Sequence, residues 1–243
     1  MMTKPVDVLA VGAHPDDVEV SLGGLMLRWK QAGRRCAVVD LTAGERGTRG
    51  NAQLRASEAA AAAERMGLVE RVQLGLPDAR LVNDIKSREA LAMVVRRLKP
   101  RLLLAPWIED RHPDHAVAGR LAQGAWFAAG LAKLKLESAG ESHSPHRPAR
   151  LWHYPLHTLP SDGASLVLAP IDTLWKAKLD LLRCYGSQFA ASAEPADGPR
   201  LVGRDPLASF EARARELGKR AGCTFAEALI APDGVVWSDP LDD

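Results

Sequence analysis

The sequence predicts an α/β fold: a mostly parallel sheet with helices on both faces. Three observations carry this. Short apolar runs alternate with segments of helical spacing. Glycine or proline closes most of the helical segments. Two motifs rich in histidine and aspartate follow apolar runs, at the edge where open α/β sheets place their sites.

Val6–Gly12 is a short apolar run ending in glycine and reads as a buried strand. Val18, Leu22, Leu25, Met26 and Trp29 then recur at helical spacing up to Ala32, and Gly33 stops the helix. Cys36–Leu41 is a second buried strand. Thr42–Asn51 holds three glycines without apolar periodicity and reads as a loop. Arg55–Met66 is an alanine-rich helix closed by Gly67, and Val72–Leu74 is a short strand before a Gly-Leu-Pro-Asp turn. Ser87–Leu98 is helical, with Pro100 just beyond it. Leu102–Pro106 is a buried strand and His115–Gly130 a helix. Leu131–Arg150 reads as a polar excursion. Trp152–Leu156 and Ser165–Leu168 read as strands of a small antiparallel C-terminal extension. Pro170–Tyr185 is an amphipathic helix, Ala190–Arg204 a loop, and Phe210–Ala221 a charged helix. No repeat or linker divides the chain, so residues 1–243 are expected to form one domain.

Bulk properties exclude several classes. The 243 residues are 47% hydrophobic and 26% charged, as in an ordinary globular protein. With 32 Lys and Arg against 30 Asp and Glu, the net charge of +2 gives no electrostatic case for nucleic acid. Cys36, Cys184 and Cys223 lie far apart and read as reduced thiols of a cytoplasmic protein. No apolar run reaches the roughly 18 residues of a membrane span. The opening Met1–Asp7 turns acidic before a signal-type apolar core forms.

Chemistry concentrates in Ala13-His14-Pro15-Asp16-Asp17 and Asp110-Arg111-His112-Pro113-Asp114-His115. Imidazole and carboxylate together suit zinc or another borderline divalent metal. His14 and Asp17 are three apart at a strand-to-helix junction, so one turn aims both at one point. His112 and His115 share that spacing. A catalytic zinc takes three protein ligands and keeps a place for water. The group therefore leaves residues over for acid–base work. A lone H-P-D would read as a helix cap; two at one sheet edge favour a metal. His143 and His146 read as solvated, whereas His157 flanks a predicted strand and could reach the site. The first turn is G-A-H-P-D-D rather than G-x-G-x-x-G, and its carboxylates would repel a pyrophosphate, so a nicotinamide oxidoreductase is set aside. No G-x-S-x-G supports a serine nucleophile.

At these residues the chain resembles the LmbE/PIG-L zinc-dependent N-acetylglucosaminyl deacetylases. Within them it is most similar to the bacillithiol-pathway branch acting on N-acetylglucosaminyl-malate. The resemblance rests on Gly12-Ala13-His14-Pro15-Asp16-Asp17-Val18-Glu19, Gly23-Gly24, the run from Asp40 to Gly50, Arg55-x-x-Glu58, Asp110–His115 and Tyr185-x-Ser187-Gln188-Phe189. It spans roughly residues 6–190; beyond about residue 195 the match is poor. Ser21-Leu22 stands where relatives often carry glycine and cysteine.

The resemblance implies a Rossmann-like three-layer sandwich, often assembled as a trimer or hexamer. It implies His14, Asp17 and His115 as ligands of Zn2+, with Fe2+ as another divalent possibility. It implies Asp16 as general base, His112 as oxyanion stabiliser or acid, and Asp114 as the residue orienting His112. Arg55 and Arg111 match substrate-binding positions, suited to bidentate contacts with malate carboxylates. The expected partner is a small amidosugar, with no nucleic acid and no membrane. A deacetylase of N-acetylglucosamine or another amidosugar is the nearest alternative. A metal-binding sugar-recognition module is a further one, but it has no use for a spare base such as Asp16.

Overall fold

The computed structural model describes residues 4–138, 140–160, 164–190 and 205–231. In chain order the first half runs β1 (Val8–Gly12), α1 (Asp17–Gln31), β2 (Cys36–Thr42), α2 (Ala52–Met66), β3 (Glu70–Leu76), α3 (Ile85–Leu98), β4 (Leu102–Pro106) and α4 (Pro113–Ala129). A two-residue hairpin follows, β5 (Glu137–Ser138) with β6 (Glu141–Ser142). The remainder is β7 (Arg150–Tyr154), β8 (Ser165–Pro170), α5 (Trp175–Leu182), α6 (Gly186–Phe189), α7 (Pro206–Ala221) and β9 (Ala226–Ala231).

Seven strands form one sheet in the order β3-β2-β1-β4-β7-β9-β8. The strands from β3 through β7 are parallel, and β9 pairs antiparallel with both β7 and β8. Every residue of β1, β2 and β4 is buried, as expected of parallel strands covered on both faces. Alternate side chains feed two cores. Val8, Ala10, Val38 and Leu104 pack with Leu22, Met26 and Trp29 of α1. Leu9, Val11, Val39 and Leu103 pack with Leu91 and Val95 of α3 and Leu121 of α4. This is the three-layer α/β architecture that the alternating runs predict.

Local signals account for the helix ends. Asn51 caps α2 by accepting from Leu54 N at 2.9 Å, and Asp84 caps α3 by accepting from Ser87 N at 2.8 Å. Both helices therefore start two to three residues before the periodic run suggests. Gly67 ends α2 in the left-handed region at φ 64°.

The C-terminal part departs from expectation. Strand β7 is not in a separate antiparallel extension; it pairs in parallel with β4, Leu104 opposite Trp152. The sequence pattern predicts no element at β9, yet this strand lies between β7 and β8. Its Ala-Glu-Ala-Leu-Ile-Ala has little of the β-branched and aromatic content that marks strands. Nearly all of the expected 190–204 loop falls outside the described residues.

Glu227 of β9 explains Gly23-Gly24. Its carboxylate accepts from Gly24 N and Leu25 N, each at 2.7 Å, and from Lys178 Nζ at 2.6 Å. A Cβ on Gly24 would stand 2.7 Å from Ile171 Cγ2 and 3.1 Å from Glu227 Oε1. Only glycine lets the strand carboxylate reach the α1 backbone. Among the described residues, no helix is long and apolar enough to cross a membrane.

Candidate active site and metal centre

β1 and β4 are neighbours at the centre of the sheet, and their connections leave in opposite directions. The crevice outside their carboxyl ends is a topological switch point. The Ala13–Asp17 turn leaves β1 there, and residues 107–112 leave β4 beside it.

The first turn is held from within. Asp17 Oδ2 accepts from Ala13 N at 2.8 Å and His14 N at 3.0 Å. The Thr42 hydroxyl donates to Ala13 O at 2.9 Å. Asp17 Oδ1 is left facing His115 Nε2 at 3.3 Å. Asp16 has φ 120°, a strained conformation for a non-glycine residue and one that functional sites often retain.

His14 Nδ1 lies 3.6 Å from Asp17 Oδ2. Donor atoms of His14, Asp17 and His115 all fall within 4.8 Å of one another. Ligands about 2.1 Å from a tetrahedral zinc would stand about 3.4 Å apart. The 3.3 Å between Asp17 Oδ1 and His115 Nε2 matches that spacing, and His14 brings a third donor within 4.8 Å, so these residues fit a metal. Two further groups lie as close, His14–His112–Asp114 and Asp110–His115–His157. Their carboxylates are already spent on backbone N–H groups. Asp114 accepts from Ala79 N at 2.8 Å and Leu81 N at 3.4 Å; Asp110 accepts from His112 N, His157 N and Thr158 N.

Electrostatics agree with a cation site. Burial works against charge on His115, yet Asp17 and Asp110 push its pKa up to about 9. Asp17 is also buried, but His115 and His14 hold it well below the usual carboxylate range. Burial pushes Asp16 up to about 7, with Arg55 opposing the rise. Burial, then the neighbouring His115 and His14, lowers the His112 pKa. Its Nδ1 accepts from Asp114 N at 3.2 Å, so the neutral ring carries its proton on Nε2.

The other candidate residues surround this group. Asp114 holds His112 through its backbone, Asp114 N donating to His112 Nδ1 in the α4 cap, while its carboxylate Oδ2 lies 3.4 Å from His14 Nε2. The His112 ring is stacked on His115 with ring centroids 4.4 Å apart. Arg55 is 3% exposed. It donates to Pro15 O and stands 3.4 Å from Asp16 Oδ1, over the Tyr185 ring. Its guanidinium thus contacts the turn that carries Asp16. Gly44, at φ 64°, makes room: a Cβ there would be 3.2 Å from the guanidinium. Arg111 is exposed, 3.4 Å from His157 Nδ1. His157 does reach the site, stacked on His115 at 5.2 Å. His146 is not simply solvated, since its Nε2 lies 2.7 Å from Pro100 O.

Sequence reasoning misses Asp78. It follows β3 at the same sheet edge, and its Oδ1 lies 3.2 Å from His14 Nε2. It also accepts from Arg46 N at 2.7 Å, while its own N–H donates to Glu45 at 2.9 Å. The glycine-rich loop after β2 therefore docks on it. The available signal is position: a carboxylate just past a strand end. Behind the site, Arg71 forks onto Asp40 at 2.6 and 2.9 Å and reaches Glu19 at 2.5 Å. Tyr185 Oη donates to Glu19 at 2.8 Å, and Ser187 N and Oγ donate to Glu58 at 2.7 Å. These contacts give the Tyr185–Phe189 and Arg55–Glu58 motifs a packing role.

A family model described as PIG-L, GlcNAc-PI de-N-acetylase, matches residues 9–126, which hold both histidine–aspartate motifs. The conserved protein TT1542 of Thermus thermophilus is 35% identical in its crystal structure, with TM-score 0.82, covering 96% of this chain and 97% of that one. The chain belongs to the PIG-L family. Among curated relatives, the diacetylchitobiose deacetylase of Thermococcus kodakarensis is 28% identical over 192 residues, 75% of this chain and 70% of that protein. The 1D-myo-inositol 2-acetamido-2-deoxy-alpha-D-glucopyranoside deacetylase 2 of Catenulispora acidiphila is 27% identical over 184 residues, 62% of this chain and 60% of that protein.

Proposed function

We propose that this PIG-L protein is a zinc-dependent N-deacetylase that hydrolyses the acetamide of an N-acetylglucosaminyl conjugate, releasing acetate and the free amine. One observation carries the reading: Asp16, a carboxylate on the same turn as His14 and Asp17, not needed by the His14–Asp17–His115 group and 3.4 Å from the Arg55 guanidinium, with burial raising its pKa. A general base works best with a pKa near the operating pH. Both curated relatives named above are deacetylases by name.

His14 through Nδ1, Asp17 through Oδ1 and His115 through Nε2 would hold the ion. A bound divalent ion supplies polarisation of the acetyl carbonyl and acidification of water. Asp16 takes the proton of the attacking water, and Arg55 fixes the Asp16 turn through Pro15 O. His112 presents Nε2–H to the oxygen that gains negative charge, as a neutral donor. The proton held on Asp16 then passes to the leaving amine.

Within this reaction, N-acetylglucosaminyl-malate is the proposed substrate. Arg111 is an exposed cation beside His157 that suits a malate carboxylate, whereas buried Arg55 serves the base. The test compares kcat/KM for N-acetylglucosaminyl-malate and plain N-acetylglucosamine, in the wild type and in Arg111→Ala. Preference for the malate conjugate that falls in the variant supports the assignment. Equal rates on both substrates would contradict it and favour a different amidosugar.

A further inference from the structure

Asp110 opens the second histidine–aspartate motif but has no part in the reaction above. Its side chain is 1% exposed. Oδ1 accepts from His112 N at 2.9 Å and faces His115 Nδ1 at 3.2 Å. Oδ2 accepts from His157 N at 2.8 Å and Thr158 N at 3.3 Å. An ionised carboxylate only accepts, so the nitrogen facing it carries the imidazole proton. The lone pair is thereby left on His115 Nε2, the atom 3.3 Å from Asp17 Oδ1.

We propose that Asp110 is a positioning residue with two linked tasks. It fixes His115 in the Nδ1–H tautomer, and it ties the metal centre to the loop after β7 that carries His157. The proposal rests on His115 being a metal ligand. The link joins separate parts of the chain: Asp110 follows β4, and His157 and Thr158 follow β7, 47 and 48 residues later. The same carboxylate sets the proton of the His115 ring and seats the residue stacked on that ring. Ordering of the ligand and ordering of the loop are therefore one event.

Asp110→Asn tests this without changing volume. An amide offers one acceptor oxygen and an NH2 donor. Either orientation sets the NH2 against two of the four N–H donors. The first measurement is long-range proton–nitrogen NMR of the imidazoles in the zinc-loaded wild type. Nδ1–H on His115 with Nε2 on the metal is expected; coordination through Nδ1 overturns the proposal, whether or not any variant folds. The second is zinc Kd by competition with a chromophoric chelator. Asp110→Asn should bind zinc about 10–100-fold more weakly. It should also lose the zinc-dependent hydrogen-exchange protection of the His157 and Thr158 amides. An unchanged zinc Kd overturns the proposal even if the melting temperature falls, because a purely structural role lowers stability without altering affinity. A wild type that binds no zinc overturns the metal reading and this proposal together. Zinc binding without amine release would leave the proposal standing while the deacetylase reading failed.

Discussion

His14 Nε2 lies 3.4 Å from Asp114 Oδ2, and the same nitrogen lies 3.2 Å from Asp78 Oδ1. These carboxylates make Nε2 the protonated nitrogen and leave Nδ1 for a metal. Carboxylates behind ligating histidines orient the ring and raise its basicity. Asp114 thus touches both rings, His14 through its carboxylate and His112 through its backbone N–H.

Replacing Asp114 with Asn should weaken zinc binding by about 10–100-fold, measured by chelator competition. An acid-side partner of His112 alone would give unchanged zinc affinity with lower turnover.

Asp16→Asn should retain zinc, by elemental analysis, and lose about 10²–10⁴-fold in kcat, the usual contribution of a positioned base. Turnover at the wild-type rate would remove Asp16 from the mechanism.

The pH profile should report Asp16 and its neighbour. The base must be ionised, so activity is lost as pH falls through the Asp16 pKa. Burial raises that pKa to about 7, and Arg55 pulls it down. Arg55→Met should therefore move the acid limb to higher pH, with Arg55→Lys in between. The proteins are compared with the same metal bound, so its charge is common to all. An acid limb that stays put in Arg55→Met would show that the guanidinium does not act on the base.

Much of this arrangement is legible in the sequence because it is local. The apolar runs of β1, β2 and β4 are continuous, and their glycine and proline punctuation is strong. Spacing pairs His14 with Asp17 and His112 with His115 just past two strand ends, and the family resemblance singles out His14, Asp17 and His115 among them. What escapes is long-range. Asp78 lies in a turn with no periodic signal, and only the parallel register of β3 with β2 brings it to His14. Strand β9 carries little strand signal in its alanine-rich run, and its place is set by neighbours on both sides rather than by propensity.

Glu227 gives the clearest stability prediction. It is 2% exposed and holds the α1 backbone and Lys178, itself 3% exposed. Glu227→Ala strands a buried ammonium and should cost about 3–5 kcal/mol in chemical denaturation. A loss under about 1 kcal/mol would mean that water or rearrangement satisfies Lys178.

Metal-assisted acetamide hydrolysis at this sheet edge is tested most directly by titrating zinc into metal-free protein. The readout is amine released from N-acetylglucosaminyl-malate and from N,N'-diacetylchitobiose. Release should rise with bound zinc and level off at one zinc per chain. Release that is independent of bound metal, or none from either substrate with one zinc bound, would contradict it.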